Sequence, residues 1–585
     1  MTAIVGVSGL SEAVSFKRAH WPGLEEREYR IAQGFDAAAA LVLDGVIVAA
    51  ASEERFNRRK QSGEFPAQAL AYCLRGAGLS FGDIDEVAHC FDYEPFGEIF
   101  GLDPTSALLY ETVFSRNALV KQVHRRWPDF PAERVHQVNH HLSHAASAYF
   151  TSGWDECLVV VLDAMGETQS GSIYHGNRGK LEKLREISAN DSLGILYSLV
   201  TYHLGFDFNS DEYKIMGLAP YGDPQRFEGV FRQALECRPD GTVRVPILRL
   251  NRTRDERENY LQTRQWLSRN LIPSREPGTE ITQTHRDVAA ALQATLDRAV
   301  LHICGHFGSS TGLRKIALAG GVALNCSANG KLIRAGLFDE IYVQPAAGDD
   351  GAALGAALYR ASMAGSVPNQ RFSVPFLGPD HPSSEIDGAF RDFSNSIKVT
   401  HFANLEETCA QAASVIGEGK VVAWYRGKME FGPRALGNRS ILADPSIPEM
   451  RDRINAMVKK REAFRPFAPA VSIEQAHRWF EVPPMTALPY MIATVDVREE
   501  YRATLPAITH VNGSARVQTV GSDDNPAFHM LLRAVGRATG REIVLNTSFN
   551  VKGQPIVNTP REAVETFLST GIDCLFIEDN LVSRV

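Results

Sequence analysis

Two histidines spaced four apart, His140 and His144 in NHHLSHAASAYF, are well placed for chemistry in this 585-residue chain. On a helix, positions i and i+4 share a face about one turn apart. Both imidazoles can therefore meet one metal ion. Asp163 follows the apolar run Cys157–Leu162, and Asp349-Asp350-Gly351 follows IYVQP. Two imidazoles and two carboxylates without cysteine suit Fe(II), Mn(II) or Zn(II), at a site with open positions rather than a structural one. A metalloprotease reading lacks the HExxH glutamate. Taken alone, the HxxxH pair is more often the mark of a capped surface helix. The set of four gains its weight from the motifs below.

A second set is basic. Arg434 and Arg465 stand in FGPRALG and FRPFAP, where Pro, Phe and Gly surround the charge. Burying a guanidinium is costly unless a partner or an anionic ligand offsets it, so both residues are candidates for an anion site.

Positioning these groups requires strands that end beside them. Ala38–Leu43, Asp44-Gly45 and Val46–Ala51 read as strand, tight turn and strand. Cys157–Leu162 reads as a strand, Asp163–Gln169 as a polar turn, and Ser170–Tyr174 as a strand again. Lys315–Leu318 runs into Ala319-Gly320-Gly321 and then a helix-like stretch. The recurrence predicts a duplicated α/β domain with a cleft between its halves. Prolines from Ser366 to Pro382 predict a linker, followed by a helix over Leu405–Gly417 and a strand over Lys420–Tyr425.

The bulk composition sets limits. Apolar residues make up 44% and charged residues 22%, as in a soluble globular protein. The formal net charge of −8 argues against a nucleic-acid partner, which would need a basic excess. No run approaches about 18 uninterrupted apolar residues, so no membrane span or membrane partner is expected. The opening MTAIVGVSGLSEAVSF lacks the basic start and apolar stretch of a signal peptide. The eight cysteines form no C-x-x-C pair and read as reduced core residues of a cytoplasmic enzyme.

The ordered motifs resemble the O-carbamoyltransferase family. NHHLSHAASAYF with LDAMGE is similar to its metal-binding signature. EYKIMGLAPYG (Glu212–Gly222), LAGGVALN (Leu318–Asn325) and GDDGAALGAAL (Gly348–Leu358) are similar to further blocks. GKMEFGPRALGNRSILADP (Gly427–Pro445), KKREAFRPFAPAV (Lys459–Val471) and LNTSFNVKGQPIVNTPREAVETF (Leu545–Phe567) follow in the family's order. The resemblance covers nearly the whole chain. It implies an α/β protein with a duplicated actin-like, TsaD-like N-terminal domain over residues 1–375, a linker region at 376–400 and a YrdC-like domain over 401–585. It further implies an enzyme that makes carbamoyl-adenylate from carbamoyl phosphate and ATP in the YrdC-like domain. The carbamoyl group would then pass to a hydroxyl of a small-molecule acceptor, a natural product being the expected class.

What the resemblance implies for residues is specific. His140, His144, Asp163 and Asp349 would bind Fe(II) or another divalent transition metal. Asp349 is taken over Asp350 because it opens the D-x-G pattern. Lys214, Gly320, Gly321 and Asn325 would receive the adenylate in the N-terminal domain. Arg434, Lys459, Arg465 and Arg516 would hold carbamoyl phosphate and Mg²⁺-bound ATP, where planar and point cations suit phosphate. Asn546, Ser548 and Asn550 would add neutral hydrogen bonds, and Lys60 would face the carbamoyl carbonyl. There is one departure. Phe35 stands where the family carries a histidine that could deprotonate the acceptor, and roughly two dozen residues are inserted ahead of it. Asp36 is the candidate base in its place, with His20 as another option. Loops at 10–33, 92–125 and 245–280 would build the acceptor pocket. A homodimer is compatible with all of this.

Two other readings compete. A tRNA threonylcarbamoyl-type transferase would want a basic surface and speaks poorly to RALGNRS and RPFAPAV. A non-catalytic actin-like nucleotide-binding regulator would not need the C-terminal cations. A hydrogenase-maturation carbamoyl dehydratase would need zinc-binding cysteine pairs that the sequence lacks.

Overall fold

The computed structural model describes residues 2–366 and 375–585. The chain divides into two compact units, Met1–Asn57 with Gln61–Phe372, and Arg58–Lys60 with Ser373–Val585.

The first unit builds one sheet design twice. Strands β1 (Ala3–Val7), β2 (Ala38–Leu43), β3 (Val46–Ser52), β4 (Glu86–His89) and β5 (Val135–Gln137) lie in the order β3-β2-β1-β4-β5. The first three form an antiparallel meander, and β4 and β5 run parallel to β1. Strands β6 (Glu156–Gly166), β7 (Gln169–Asn177) and β8 (Lys180–Ser188) form a second meander. A short ribbon follows, β9 (Glu236–Cys237) with β10 (Val243–Arg244). Then β11 (Lys315–Ala319) and β12 (Glu340–Val343) add in parallel to give the order β12-β11-β6-β7-β8. Order and sense match those of the first sheet, which is the duplication that the strand–turn recurrence predicts. The Asp44-Gly45 turn has both residues at positive φ, +48° and +81°, as the tightest hairpins require.

One element departs from expectation. Asp163–Gly166 continues β6 instead of opening a turn. The pairing with β7 slips between Leu162 and Gly166, and such a bulge re-aims a side chain without ending the strand.

Two helices complete the frame of the first unit. His140–Ser152 follows β5, capped by the Asn139 side chain, which accepts from the Leu142 N–H. Asp349–Met363 follows β12. Both helices are rich in small buried residues, Ala145 and Ala146 on the first and Ala352 and Ala356 on the second. At Gly355 a Cβ would lie 1.7 Å from the Ser143 carbonyl oxygen, so only glycine allows the two backbones this approach.

The second unit holds an eight-stranded mixed sheet. Its strands are β13 (Ile397–His401), β14 (Val422–Tyr425), β15 (Arg439–Ala443), β16 (Ala468–Ser472), β19 (Gln518–Val520), β20 (Ile543–Ser548), β21 (Cys574–Ile577) and β22 (Asn580–Arg584). They lie in the order β13-β22-β21-β14-β15-β20-β16-β19. A ribbon of β17 (Thr494–Asp496) and β18 (Ser514–Arg516) stands apart. The helix Leu405–Gly417 forms as predicted and packs Cys409, Ala412 and Ile416 into the same core as Trp424, Phe528 and Phe576.

The segment 376–400 is not a linker. It carries the helix Ser383–Asp392, which buries Ile386, Ala389 and Phe390, and β13, which pairs with β22. The prolines that suggested a break stop at Pro382, the residue capping that helix, where proline costs no helical hydrogen bond. Residues 367–374 of the predicted linker lie outside the described residues. Seven of the eight cysteines are buried and Cys237 is exposed. No helix among the described residues is long and apolar enough to cross a membrane.

Gly355→Ala is expected to lower the unfolding free energy by about 1–3 kcal/mol through overpacking, read as a lower denaturant midpoint. An unchanged midpoint would show that the helix contact yields freely.

Candidate functional site

The four residues His140, His144, Asp163 and Asp349 meet at one place. One donor atom from each lies within 4.8 Å of the others. His140 and His144 sit on one helix face with their Nε2 atoms 3.1 Å apart. His140 Nε2 is 3.3 Å from Asp163 Oδ2 and 3.5 Å from Asp349 Oδ1, and His144 Nε2 is 3.7 Å from Asp349 Oδ1. His140 Nδ1 donates to the Cys90 carbonyl at 3.0 Å. That bond directs the Nε2 lone pair toward the other donors. Two imidazole lone pairs this close repel unless a proton or a cation lies between them. The donor chemistry, N₂O₂ without thiolate, fits a divalent transition metal.

The electrostatics agree. Burial disfavours the His140 imidazolium, but the charge of Asp349 and the bonds to Asp163 and Asp349 overcome it and hold its pKa well above the ordinary value. Burial likewise works against both carboxylates, yet His140 holds Asp163 and Asp349 below the usual range. Neighbouring His141 is pushed down to about 3 by burial and then by the His140 charge. Neither of its ring nitrogens has a partner among the described residues.

The predicted adenylate residues have structural duties. Gly320 stands at φ +88°, and a Cβ there would meet the Leu162 carbonyl oxygen at 2.3 Å. The Gly321 N–H donates to Asp163 Oδ1 at 2.8 Å, so this turn anchors a cluster carboxylate. Asn325 caps the helix Cys326–Arg334 and exchanges two hydrogen bonds with Gln293. Lys214 binds Asp211 at 2.8 Å.

Asp36 lies beside the start of the Asp349 helix. Burial, then the charges of Asp350, Glu54 and Asp349, push its carboxyl well above the ordinary range, with Arg30 opposing. Phe35, in the position of the family histidine, carries Arg30 at 5.0 Å from its ring centre. His20 is exposed and stacked on Phe16 of its own helix, with Nδ1 2.9 Å from the Phe16 carbonyl. Asp350 is pushed up to about 7, chiefly by burial.

In the second unit, Lys459 is buried and surrounded by oxygens. Its Nζ donates to the Ser548 carbonyl, to Ser548 Oγ at 3.2 Å, to the Asn550 carbonyl at 3.0 Å and to Asn550 Oδ1 at 2.7 Å. Burial and the charges of Arg461, Arg465 and Lys60 push its pKa well below the ordinary value. The structure therefore brings Lys459, Ser548 and Asn550 together within reach of Arg465 and Lys60. Lys60 belongs to the short segment that groups with this unit, where Arg58 donates to the Ile556 carbonyl at 2.8 Å and pairs with Glu562 at 3.2 Å. Arg465 is half-buried and paired with Glu462 at 3.7 Å. Asn546 is buried and donates to Gln518 Oε1 at 2.9 Å and to the Ala435 carbonyl at 3.3 Å, beside half-buried Arg434. Arg516 ends β18, two residues before Gln518.

The comparisons bear on this arrangement. The family model "Carbamoyltransferase N-terminus" matches residues 31–94 and 103–358, and "Carbamoyltransferase C-terminus" matches 413–584. Nodulation protein NolNO of Sinorhizobium fredii is 40% identical over 94% of this chain and 79% of its own length.

The chain belongs to the carbamoyltransferase family.

It is a transferase enzyme. The 3'-hydroxymethylcephem-O-carbamoyltransferase of Amycolatopsis lactamdurans is 34% identical over 46% of the chain and 48% of its own length. A solved structure of HypF from T. kodakarensis aligns at 13% identity and TM-score 0.31, covering 63% of this chain and 49% of that one, too distant a likeness to argue from.

Two segments of this carbamoyltransferase fall outside the N-terminal family match, 1–30 and 95–102. They overlap two of the loops expected to shape the acceptor pocket, 10–33 and 92–125, and the structure ties each of those loops to the third, 245–280. Buried Lys17 donates to the Ile31 carbonyl at 2.6 Å and the Glu258 carbonyl at 2.5 Å. Trp21 Nε1 donates to Asp255 Oδ1 at 3.0 Å, and Arg254 pairs with Asp103.

Sequence reasoning missed Glu167, the last residue of LDAMGE. Its carboxylate accepts from the Asp92 N–H at 2.8 Å, the His140 N–H at 3.0 Å and Asn139 Nδ2 at 2.9 Å. Burial pushes its pKa to about 7 against those bonds and the His140 charge. A buried acid at the end of an apolar strand was the available signal. Glu167→Ala is expected to weaken metal affinity by about 10–100-fold, as loss of an orienting partner does. His140→Ala is expected to abolish stoichiometric metal, with elemental analysis of the purified protein as the check.

Proposed function

We propose that the protein is an ATP-dependent O-carbamoyltransferase acting on a hydroxyl of a small-molecule natural product. The first unit is read as the TsaD-like transfer domain and the second as the YrdC-like activating domain. What supports this is one combination in a carbamoyltransferase chain: four converging candidate metal donors in one unit, and in the other a buried lysine on the NTSFN motif with further cations around it.

The activation step follows from atom balance. Carbamoyl phosphate and water give carbamate and phosphate. A carbamate oxygen then attacks the α-phosphorus of Mg²⁺-bound ATP and pyrophosphate leaves, so both phosphate and pyrophosphate are released. Arg434, Lys459, Arg465 and Arg516 gather charge around the phosphates, as a charge-rich transition state demands. Lys60 adds its cation, and Asn546, Ser548 and Asn550 align the donors.

Transfer forms a bond from the acceptor oxygen to the carbamoyl carbon and breaks the bond to AMP, which leaves with the electron pair. Asp36 takes the hydroxyl proton. Only its ionised form can do so. A divalent ion held by His140, His144, Asp163 and Asp349 would supply Lewis-acid polarisation of the mixed anhydride.

The test is pyrophosphate release with mass spectrometry of a hydroxylated metabolite panel. Carbamoyl-phosphate-dependent release and a one-carbamoyl mass increment are expected. Lys459→Ala should cut pyrophosphate release about 10²-fold or more. Asp36→Asn should slow transfer from supplied carbamoyl-adenylate by about 10²–10⁴-fold and spare pyrophosphate release. ATP hydrolysis indifferent to carbamoyl phosphate would point to a nucleotide-dependent regulator instead.

A further inference from the structure

Glu430 is a carboxylate that neither unit's chemistry uses directly, and it is only 2% exposed. One oxygen, Oε1, accepts three backbone N–H bonds, from Leu436 at 2.8 Å, Asn438 at 2.9 Å and Arg439 at 3.1 Å. Its other oxygen is buried with no partner among the described residues. The loop it grips, 431–438, carries Arg434 and leads into β15.

The rest of that loop is held by side chains too. The Leu436 carbonyl accepts from Gln518 Nε2 at 2.8 Å and the Ala435 carbonyl from Asn546 Nδ2 at 3.3 Å. Gln518 and Asn546 are themselves bonded at 2.9 Å, and both are buried. On the other side of Arg434, the Phe431 N–H donates to the Pro375 carbonyl at 2.6 Å. The backbone is therefore held three residues before the arginine, at Phe431, and from Ala435 onward after it.

Charge-assisted bonds are shorter and stiffer than neutral ones. Three of them on one oxygen make a rigid staple. An arginine that must present its fork to a phosphate gains from such stiffness, because a fixed donor loses less freedom on binding.

We propose that Glu430 is a positioning residue: through the Glu430–Gln518–Asn546 frame it holds Arg434 in the orientation that receives the anionic substrate. The inference rests on the reading of the second unit as the activating site.

A double-mutant cycle on the full chain tests it, with inorganic pyrophosphate as the calorimetric probe. Arg434→Ala is expected to weaken pyrophosphate binding at least about tenfold. Glu430→Gln is expected to weaken it by a similar factor. The double variant should bind no more weakly than Arg434→Ala alone, because Glu430 acts through that arginine. In steady state, Glu430→Gln should raise KM for carbamoyl phosphate more than it lowers kcat. Transfer from supplied carbamoyl-adenylate should be unchanged. If Glu430→Gln does not fold, Gln518→Leu loosens the same loop and carries the same expectation. Wild-type binding by a folded Glu430→Gln, or a loss that adds in full to that of Arg434→Ala, overturns the inference alone. If Arg434→Ala binds pyrophosphate like the wild type, the activating-site reading falls as well.

Discussion

Two imidazole nitrogens facing each other at 3.1 Å, flanked by two carboxylates, form an arrangement that a folded chain does not keep without a cation or a shared proton to reconcile it. Much of the first unit exists to maintain it. The slip in β6 aims Asp163 inward, and the Gly321 N–H holds it there. Gly355 lets the two donor helices approach until a carbonyl occupies the space of a side chain. Glu167 fixes the backbone of the first histidine. Each device is modest alone, and together they fix the four side chains or the elements that carry them.

The second unit solves the related problem of burying a cation. Lys459 is enclosed by four oxygen acceptors from Ser548 and Asn550 while other cations press on it from nearby. Burial and those neighbouring charges disfavour its ammonium form, while the four oxygens favour it. In both units groups of like kind are held close together, two imidazoles in the first and several cations around Lys459 in the second.

Much of this was legible in the sequence, and the failures have physical causes. Ala38–Leu43 and Leu405–Gly417 have the bounds their apolar patterns predict. The four donors could be named because the spacing of His140 and His144 is a helical signature and both aspartates follow apolar runs. Asp163 was misplaced in a turn because a bulge and a turn look alike in one dimension; only pairing with β7 tells them apart. Residues 376–400 looked like a linker because prolines were weighed without asking where a helix tolerates them. Asn325 and Gly320 also carry duties in the fold itself, which the motifs alone do not reveal. Glu167 and Glu430 escaped notice because their partners are backbone N–H groups, and a backbone amide leaves no mark on the residue type that carries it.

His140 is the first residue of a thirteen-residue helix and Asp349 the first of a fifteen-residue helix, so the two helix starts converge on one spot. The aligned peptide dipoles of each leave about half a positive charge at its opening turn. Two such ends together offset part of the repulsion between the gathered carboxylates. That contribution belongs to the main chain, so it does not depend on the identity of any one side chain.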